Sequence, residues 1–251
     1  MTLRAVATLA GLALIAAAAL SPPEFLGIIE RDWMKAGLLA APLALTAAWV
    51  VGRGKITVPV LGLIVLAAYL IHQAEEHWID ALGRTYAFRD FANATIASRF
   101  PQGLKTLEPM TPLALFVINA GVWLIGLQGV LSRAGDAFPL AASAAVTLVN
   151  GIAHIASAIA LGIYNPGLVT AILLFVPIAG GTLAWLWRTG NATGAQVAAA
   201  IAWGIGGHAI LIAAVLGANG FGLFPEIAGL FAILFWMILP TAFAGAARTQ
   251  R

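Results

Sequence analysis

The sequence predicts an all-α fold, a polytopic transmembrane helix bundle of about eight spanning helices, on three observations. Of the 251 residues, 61% are apolar and only 9% are charged, whereas an average soluble domain has about a quarter charged residues. Eight segments reach or approach the ~20 apolar residues that a helix needs to cross the hydrocarbon core. The breaks between them carry charged, glycine, asparagine and proline turn signals. This composition excludes an ordinary soluble protein, a disordered chain and a nucleic-acid-binding protein.

The predicted spans form a single transmembrane domain over residues 1–251. They lie at about 3–20, 36–52, 56–79, 112–131, 138–163, 168–187, 195–216 and 226–243. The first span could instead be a cleaved signal peptide, which would leave seven, because a basic residue precedes an apolar run. The two prolines after Ser21 favour a retained helix. Residues 80–111 mix basic and aromatic side chains, a pattern typical of an extramembrane or interfacial segment.

The distribution of basic residues predicts the orientation. Short cytoplasmic loops are enriched in Lys and Arg, and the connections at 164–167 and 217–225 contain neither. The other short loops and the C-terminal tail contain Arg53, Lys55, Arg133, Arg188, Arg248 and Arg251. With eight spans, both termini would then be cytoplasmic. The expected location is the cell (inner) membrane, with membrane lipids as partners and no nucleic acid.

All four histidines fall in or beside predicted spans, where ionisable groups are costly and mark function by default. At ~1.5 Å per residue, His72 and His154 each lie ~24 Å from the start of their spans, and His208 lies ~20 Å from the start of its own. The three spans run in the same direction. We therefore expect these three histidines at one level of the bundle. The chain has no cysteine, which excludes a thiolate site.

Two adjacent carboxylates accompany the first of these histidines. On a helix with 100° between residues, Glu75 and Glu76 lie to either side of His72 within a ~100° arc. Both carboxylates cannot ionise cheaply at low dielectric unless a cation compensates them. Imidazole and carboxylate ligands suit Zn²⁺, Fe²⁺ or Mn²⁺. His77 points ~140° away from His72, and we expect it in the headgroup layer with Trp78.

Polar residues on other spans extend this prediction. One face of the fifth span carries the stripe Ser143, Thr147, Asn150, His154 and Ser157, and such a stripe must face the bundle interior. By geometry, the predicted divalent-metal ligands are His72, Glu76, His154 and His208, with Glu75 as a proton-transfer base. The residues expected to support the ligands or line the cavity are Asn150, Thr147, Tyr164 and Asn119.

Two motifs carry a family resemblance. His72-Gln73-Ala74-Glu75-Glu76 has the form His-x-x-Glu-Glu, and Tyr164-Asn165-Pro166-Gly167 has the form Tyr-x-Pro-Gly. Together they resemble the HXXEE-motif family of uncharacterised bacterial integral membrane proteins, over roughly residues 60–215. That family has no established activity, so the resemblance implies a motif and no reaction.

The buried cluster leaves three functions open. The favoured hypothesis is a metal-dependent membrane hydrolase or oxidoreductase acting on a lipid or other apolar substrate. The first alternative is a cation or proton transporter or channel that uses the same residues. The second is a membrane assembly factor without catalysis. The sequence does not decide between hydrolysis and oxidation, and it does not identify the metal.

Overall fold

The computed structural model describes residues 2–243, with side chains described to residue 240, and this part of the chain contains no β-strand. Arg248 and Arg251, which contribute to the expected orientation, lie outside the described residues. The helices are α1 (Leu3–Ala19), α2 (Pro23–Gly52), α3 (Val58–His77), α4 (Ala87–Arg99), α5 (Pro112–Val130), α6 (Phe138–Leu161), α7 (Leu168–Arg188), α8 (Gly194–Gly220) and α9 (Glu226–Phe243).

Six of the described helices, namely α2, α3, α5, α6, α7 and α8, are long and apolar enough to cross a membrane. Helices α1 and α9 are also apolar but shorter, at Leu3–Ala19 and, as far as side chains are described, Glu226–Pro240. The all-helical, membrane-type fold is therefore confirmed, whereas the expected count of about eight spans is not. Helix α2 also begins well before its expected start at 36, because Pro23 suits a first helical position.

Helix α3 lies at the centre of the bundle and carries the His-x-x-Glu-Glu motif near its C-terminal end. It packs against α2, α5, α6 and α7. Together with α5 it is the most buried of the candidate spans. Polar side chains on α3 therefore meet protein on most sides, as intramembrane polar groups must.

Helix α7 is irregular at the end that faces α3. It begins after Gly167, whose φ of +92° favours glycine, and it continues as a wider π-helix over Ala171–Ala179. This π-helix contains Pro177, which lacks an N–H and crowds the preceding turn of an α-helix. The π-helix places the ring of Phe175 against that of His72, with centroids 4.0 Å apart. Such π-helical turns occur frequently at functional sites.

The segment after α3 forms a tight turn and then the surface helix α4. The carboxylate of Asp80 accepts hydrogen bonds from the backbone N–H groups of Leu82 and Arg84 and from the guanidinium of Arg84. Burial alone would raise the pKa of Asp80, but these hydrogen bonds outweigh it and lower the pKa below its usual value. The turn leads into α4, where Phe88 contacts the ring of His77 edge-on at 4.9 Å between centroids.

Candidate metal centre

Three buried side chains from two helices converge in the core. The i, i+4 spacing places His72 and Glu76 on one face of α3, with His72 Nε2 3.3 Å from Glu76 Oε2. From α6, His154 Nε2 lies 3.3 Å from the other carboxylate oxygen, Oε1. One ligand atom from each residue lies within 4.8 Å of the others, and the three residues are at most 6% exposed. This group can hold a metal ion.

The neighbours of His72 determine which of its nitrogens carries the proton. Its Nδ1 lies 2.8 Å from Thr170 Oγ1, and the same hydroxyl also contacts the Glu75 carboxylate. An ionised carboxylate only accepts hydrogen bonds, so the Thr170 hydroxyl donates to Glu75 and accepts from Nδ1–H of His72. The Nε2 atom of a neutral His72 is therefore left with its lone pair. It is buried and has no hydrogen-bond partner among the described residues.

The tautomer of His154 is fixed in a similar way by the Tyr-x-Pro-Gly turn. Asn165 Nδ2 donates to the backbone carbonyl of His154 at 3.0 Å, and this contact fixes the orientation of the amide. Asn165 Oδ1 then lies 2.6 Å from His154 Nδ1, which must be the donor. The Nε2 atom of a neutral His154 therefore also presents a lone pair. Hydrogen bonds that orient imidazoles in this way are typical of metal-ligating histidines.

With both imidazoles neutral, the site buries hydrogen-bond acceptors against one another, namely the two imidazole Nε2 atoms and the carboxylate oxygens of Glu76. Two imidazole lone pairs and one carboxylate point toward each other without protons between them. Such an arrangement is unfavourable at low dielectric unless a cation enters or the imidazoles are protonated. Two histidines and one carboxylate match donor sets used for Zn²⁺ and for non-haem Fe²⁺. The residues present therefore fit a divalent metal ion.

Gly167 covers this site from the side of the Tyr-x-Pro-Gly turn. A Cβ atom added at Gly167 would lie 2.8 Å from Cε1 of His72 and 2.8 Å from Cε1 of His154. The backbone therefore packs directly on both imidazole rings, and its φ of +92° independently favours glycine. The turn thus closes one side of the site, in addition to reversing the chain between α6 and α7.

The structure places Glu75 beside the site and gives its carboxylate several partners. Oε1 accepts from the hydroxyl of Tyr164 at 2.9 Å and from the N–H of Val169, and Oε2 accepts from the N–H of Thr170 at 2.7 Å. These contacts place a negative charge at the N-terminus of α7, which is a favourable position. Burial and the charge of Glu75 raise the pKa of Tyr164, so Tyr164 remains a hydrogen-bond donor. Glu75 therefore fixes the turn, and its role as a proton-transfer base stays a prediction.

The predicted supporting residues separate into different environments. Asn119 Nδ2 lies 3.2 Å from His77 Nε2, so Asn119 contacts the cluster through His77. The hydroxyl of Thr147 donates instead to the carbonyl of Ser143 within its own helix. Asn150 lines a cavity beside Glu76.

The structure does not bring His208 into the group of three. Its Nδ1–H donates to the carbonyl of Gly204, one turn earlier on α8, at 2.9 Å. His208 lines the same cavity as Glu76 but supplies no atom to the convergent group. The expected fourth ligand therefore lies elsewhere in the structure, because a shared level in the bundle does not require a shared direction.

Four residues that sequence reasoning did not assign to the site contribute to it. His77 is buried within the protein, with Nε2 3.0 Å from Glu76 Oε2, although the sequence predicted that it points away from the cluster. Asn165, Gly167 and Thr170 orient or cover the histidines. The Tyr-x-Pro-Gly motif was the available signal for Asn165 and Gly167. For Thr170, which lies beyond that motif, no such signal was present.

An apolar cavity of about 190 Å³ reaches Glu76 and His77 from the interior of the bundle. Its wall includes Asn119, Asn150 and His208 as polar members. The apolar members include Tyr69, Phe88, Met110, Ile118, Val122, Ile125, Val146, Trp203, Trp236 and Met237. An apolar cavity with a few polar groups is the usual form of a small-molecule site.

Comparison with known proteins bears on the two motifs that form this site. Residues 63–182 match a family model described as a protein of unknown function with HXXEE motif. The resemblance predicted from the motifs is confirmed. The matched region contains His72, Glu76, His154 and the Tyr-x-Pro-Gly turn, and thus the whole convergent group. No curated protein and no solved structure matches the chain.

Proposed function

We propose that this HXXEE-motif protein is an integral membrane metalloenzyme that binds one divalent ion through His72, Glu76 and His154. The observation that carries the proposal is the convergence of two imidazole lone pairs on a buried carboxylate. Thr170 and Asn165 hold the protons of both imidazoles on the far side of the rings. A purely structural cluster would place a proton between each donor and acceptor.

The donor set limits the metal and its chemistry. Two imidazoles and one carboxylate suit Zn²⁺, Fe²⁺ or Mn²⁺, and such sets leave coordination positions for water or substrate. A bound ion would supply Lewis acidity to a hydrolytic or an oxidative reaction. The chain's own residues then orient the ligands, exclude water on the side of Gly167 and leave access from the cavity.

The cavity supports an apolar substrate. Most of its wall is aliphatic or aromatic, and Glu76 is the member of the metal group that lines it. A lipid or another apolar molecule could therefore reach the site from within the bundle. Membrane lipids are accordingly the proposed partners and the proposed source of substrate.

We further infer that the protein lies in the bacterial inner membrane with both termini in the cytoplasm. The basic loops support this orientation. Because the chain has no cysteine, single-cysteine variants can test it without background labelling. We expect Thr189→Cys to react with a membrane-impermeant thiol reagent only after cell disruption, and Leu223→Cys to react in cells with a permeable outer membrane. The reverse pattern would overturn the orientation.

Metal analysis tests the main proposal. We expect detergent-purified protein to contain about one Zn, Fe or Mn per chain, and His72→Ala, Glu76→Gln and His154→Ala to lose it. His208→Ala is the matched control, because it removes an intramembrane imidazole outside the group and should retain the metal. Circular dichroism on each variant checks that the helices persist.

Two results would contradict the proposal. Parent protein without metal, both as purified and after reconstitution with each ion, would overturn the metal site. Loss of metal from His208→Ala together with retention in His154→Ala would assign the ligands to different residues. In the first case, cation or proton flux in proteoliposomes becomes the next measurement, because a transporter was the first alternative to the enzyme.

A further inference from the structure

A second cavity lies on the other side of His77 from the first and shares lining residues with it. It has a volume of about 440 Å³ and lies between the N-terminal half of α2 and the start of α4. His77 and Leu115 line both cavities. We call this second cavity the vestibule, and its polar lining consists of Glu30, Arg31, Thr85, Tyr86, Arg89 and Asp90.

The two cavities differ in chemistry. The vestibule carries charges of both signs, whereas the inner cavity is lined mainly by aliphatic and aromatic side chains. The metal group lies close to both cavities, because Glu76 lines the inner cavity and its neighbour His77 lines both. A molecule that occupies both cavities must therefore have a charged end and an apolar end.

Two half-buried vestibule charges, Arg89 and Glu30, are available to bind the charged end, whereas the side chain of Asp90 is 84% exposed. Arg31 is already paired with Asp32 at 2.9 Å. By contrast, Arg89 has only a 4.0 Å approach to Asp90, and Glu30 forms no salt bridge or hydrogen bond with the residues described. An arginine suits a phosphate and a carboxylate suits an ammonium group.

We propose that the substrate is a single-chain amphiphile with a zwitterionic head that contains a phosphate and an amine. The head binds between Arg89 and Glu30, and the chain lies in the inner cavity. One chain is assigned because a cavity of about 190 Å³, below the roughly 300–1,000 Å³ of drug-sized pockets, has room for only part of one acyl chain and none for a second. The junction of head and chain then lies beside Glu76. This inference rests on the proposed metalloenzyme for its chemistry, but it makes its own prediction about binding.

Photolabelling tests the inference. The probe is lysophosphatidylethanolamine with a diazirine near the end of its acyl chain, added to purified full-length protein, and the labelled residues are identified by mass spectrometry. We expect adducts on residues of the inner cavity. Arg89→Gln and Glu30→Gln should each lower the labelling about tenfold, because each removes one charge-assisted contact. Arg99→Gln, an exposed position later on α4, is the matched control and should leave labelling unchanged.

A second variant and a second probe complete the test. Val122→Trp should block the chain in the inner cavity and abolish cavity adducts. A monoacylglycerol probe with the same chain and no charged head should label the cavity at least several-fold less. Equal labelling by both probes, or unchanged labelling in both vestibule variants, would overturn the inference.

Metal content separates the two proposals. Arg89→Gln, Glu30→Gln and Val122→Trp all lie outside the ligand group and should retain the metal of the parent. Labelling as expected in a parent without metal would support amphiphile binding and overturn the metalloenzyme. If the parent contains the expected metal but its labelling does not depend on the charged head, the metalloenzyme is supported and amphiphile binding is overturned.

Discussion

Helix α3 contributes to two buried polar clusters that differ in how their hydrogen bonds are satisfied. In the first, Asn119 Oδ1 accepts from Tyr69 at 2.9 Å and from Gln73 at 3.0 Å, while its Nδ2 donates to the carbonyl of Leu115. Gln73 Oε1 accepts from the indole N–H of Trp123. Each of these acceptors meets a donor, and this amide network needs no additional partner.

The second cluster, formed by His72, Glu76 and His154, has the opposite character. The outward-facing nitrogens of its imidazoles are satisfied by Thr170 and Asn165, which leaves only acceptors facing inward when both imidazoles are neutral. Both clusters are almost fully buried, so burial alone does not distinguish them. The balance of donors and acceptors does: the first cluster is complete in itself, whereas the second can hold a cation.

The substitution with the largest expected effect on this difference is Gly167→Ala. The new methyl group would lie 2.8 Å from both imidazole rings at a backbone angle that disfavours alanine. We expect a loss of about 3 kcal/mol in stability, combining strain and overpacking, together with loss of the metal. Thermal unfolding and elemental analysis measure both effects.

Gly162→Ala is the matched control for that substitution. Gly162 also has a positive φ, +68°, but a Cβ there meets nothing within 4 Å. It should cost only about 1 kcal/mol through backbone strain and leave the metal in place. Equal metal loss in the two variants would mean that Gly167 does not cover the site.

Asn165→Ala tests the support of a ligand rather than the ligand itself. The change removes the acceptor that holds the proton on His154 Nδ1. We expect metal affinity to fall about 10- to 100-fold, measured by competition with a chelator. Asn191→Ala removes an amide that donates a hydrogen bond to Thr189, in a loop that contributes no residue to the metal group, and should leave the affinity unchanged. A fall of similar size in both variants would remove the assigned role of Asn165.

Asn119→Leu should act on the other cluster. It leaves the hydroxyl of Tyr69 and the amide of Gln73 without their acceptor. We expect unfolding to become easier by about 1–3 kcal/mol, with metal content per folded chain unchanged. If Asn119→Leu removes the metal while Gly167→Ala retains it, the assignment of the two clusters is reversed.

The smallest effect concerns pH and the Asp80 turn. The pKa of Asp80 is lower in the folded protein than its unfolded value of ~3.9. Its stabilisation is therefore present above that unfolded value and is lost as pH falls through the folded pKa. We expect Asp80→Asn to lose about 0.5–1.5 kcal/mol at neutral pH, and this difference from the parent should shrink in acid. A difference that stays constant down to pH 2 would contradict the lowered pKa.

The part of the site that follows from helix geometry could be predicted from the sequence. The i, i+4 spacing placed His72 and Glu76 on one face of a helix, and the matched depth of His154 brought it to the same level. Composition and segment length also predicted the helical bundle, because the apolar segments are long and separated by clear turn signals. The predicted start of α2 was less accurate, because the helix extends toward its N-terminus through a charged part that precedes the apolar segment.

The remaining features of the site depend on where side chains point relative to neighbouring helices and turns, and the geometry of a single helix does not define this. Depth gave the level of His208 but not its direction, and its imidazole points to Gly204 on its own helix. Adjacent residues such as Glu76 and His77 lie 100° apart on a helical wheel, yet the long Glu76 side chain reaches His77. Asn165 and Thr170 act through the turn and the start of α7, where no periodicity exists to interpret.

The proposed ligands come from α3 and α6, and Thr170 at the start of α7 orients one of them, so the site is complete only after the chain has been synthesised to about Thr170. On the proposed membrane placement, α3 enters the bilayer earlier, with Glu76 uncompensated and therefore costly in lipid. We expect α3 to be held poorly in the bilayer until the later helices and the ion arrive. The supply of metal to the growing cell would then set how much of the newly made protein matures and how much is degraded, independently of any catalytic turnover.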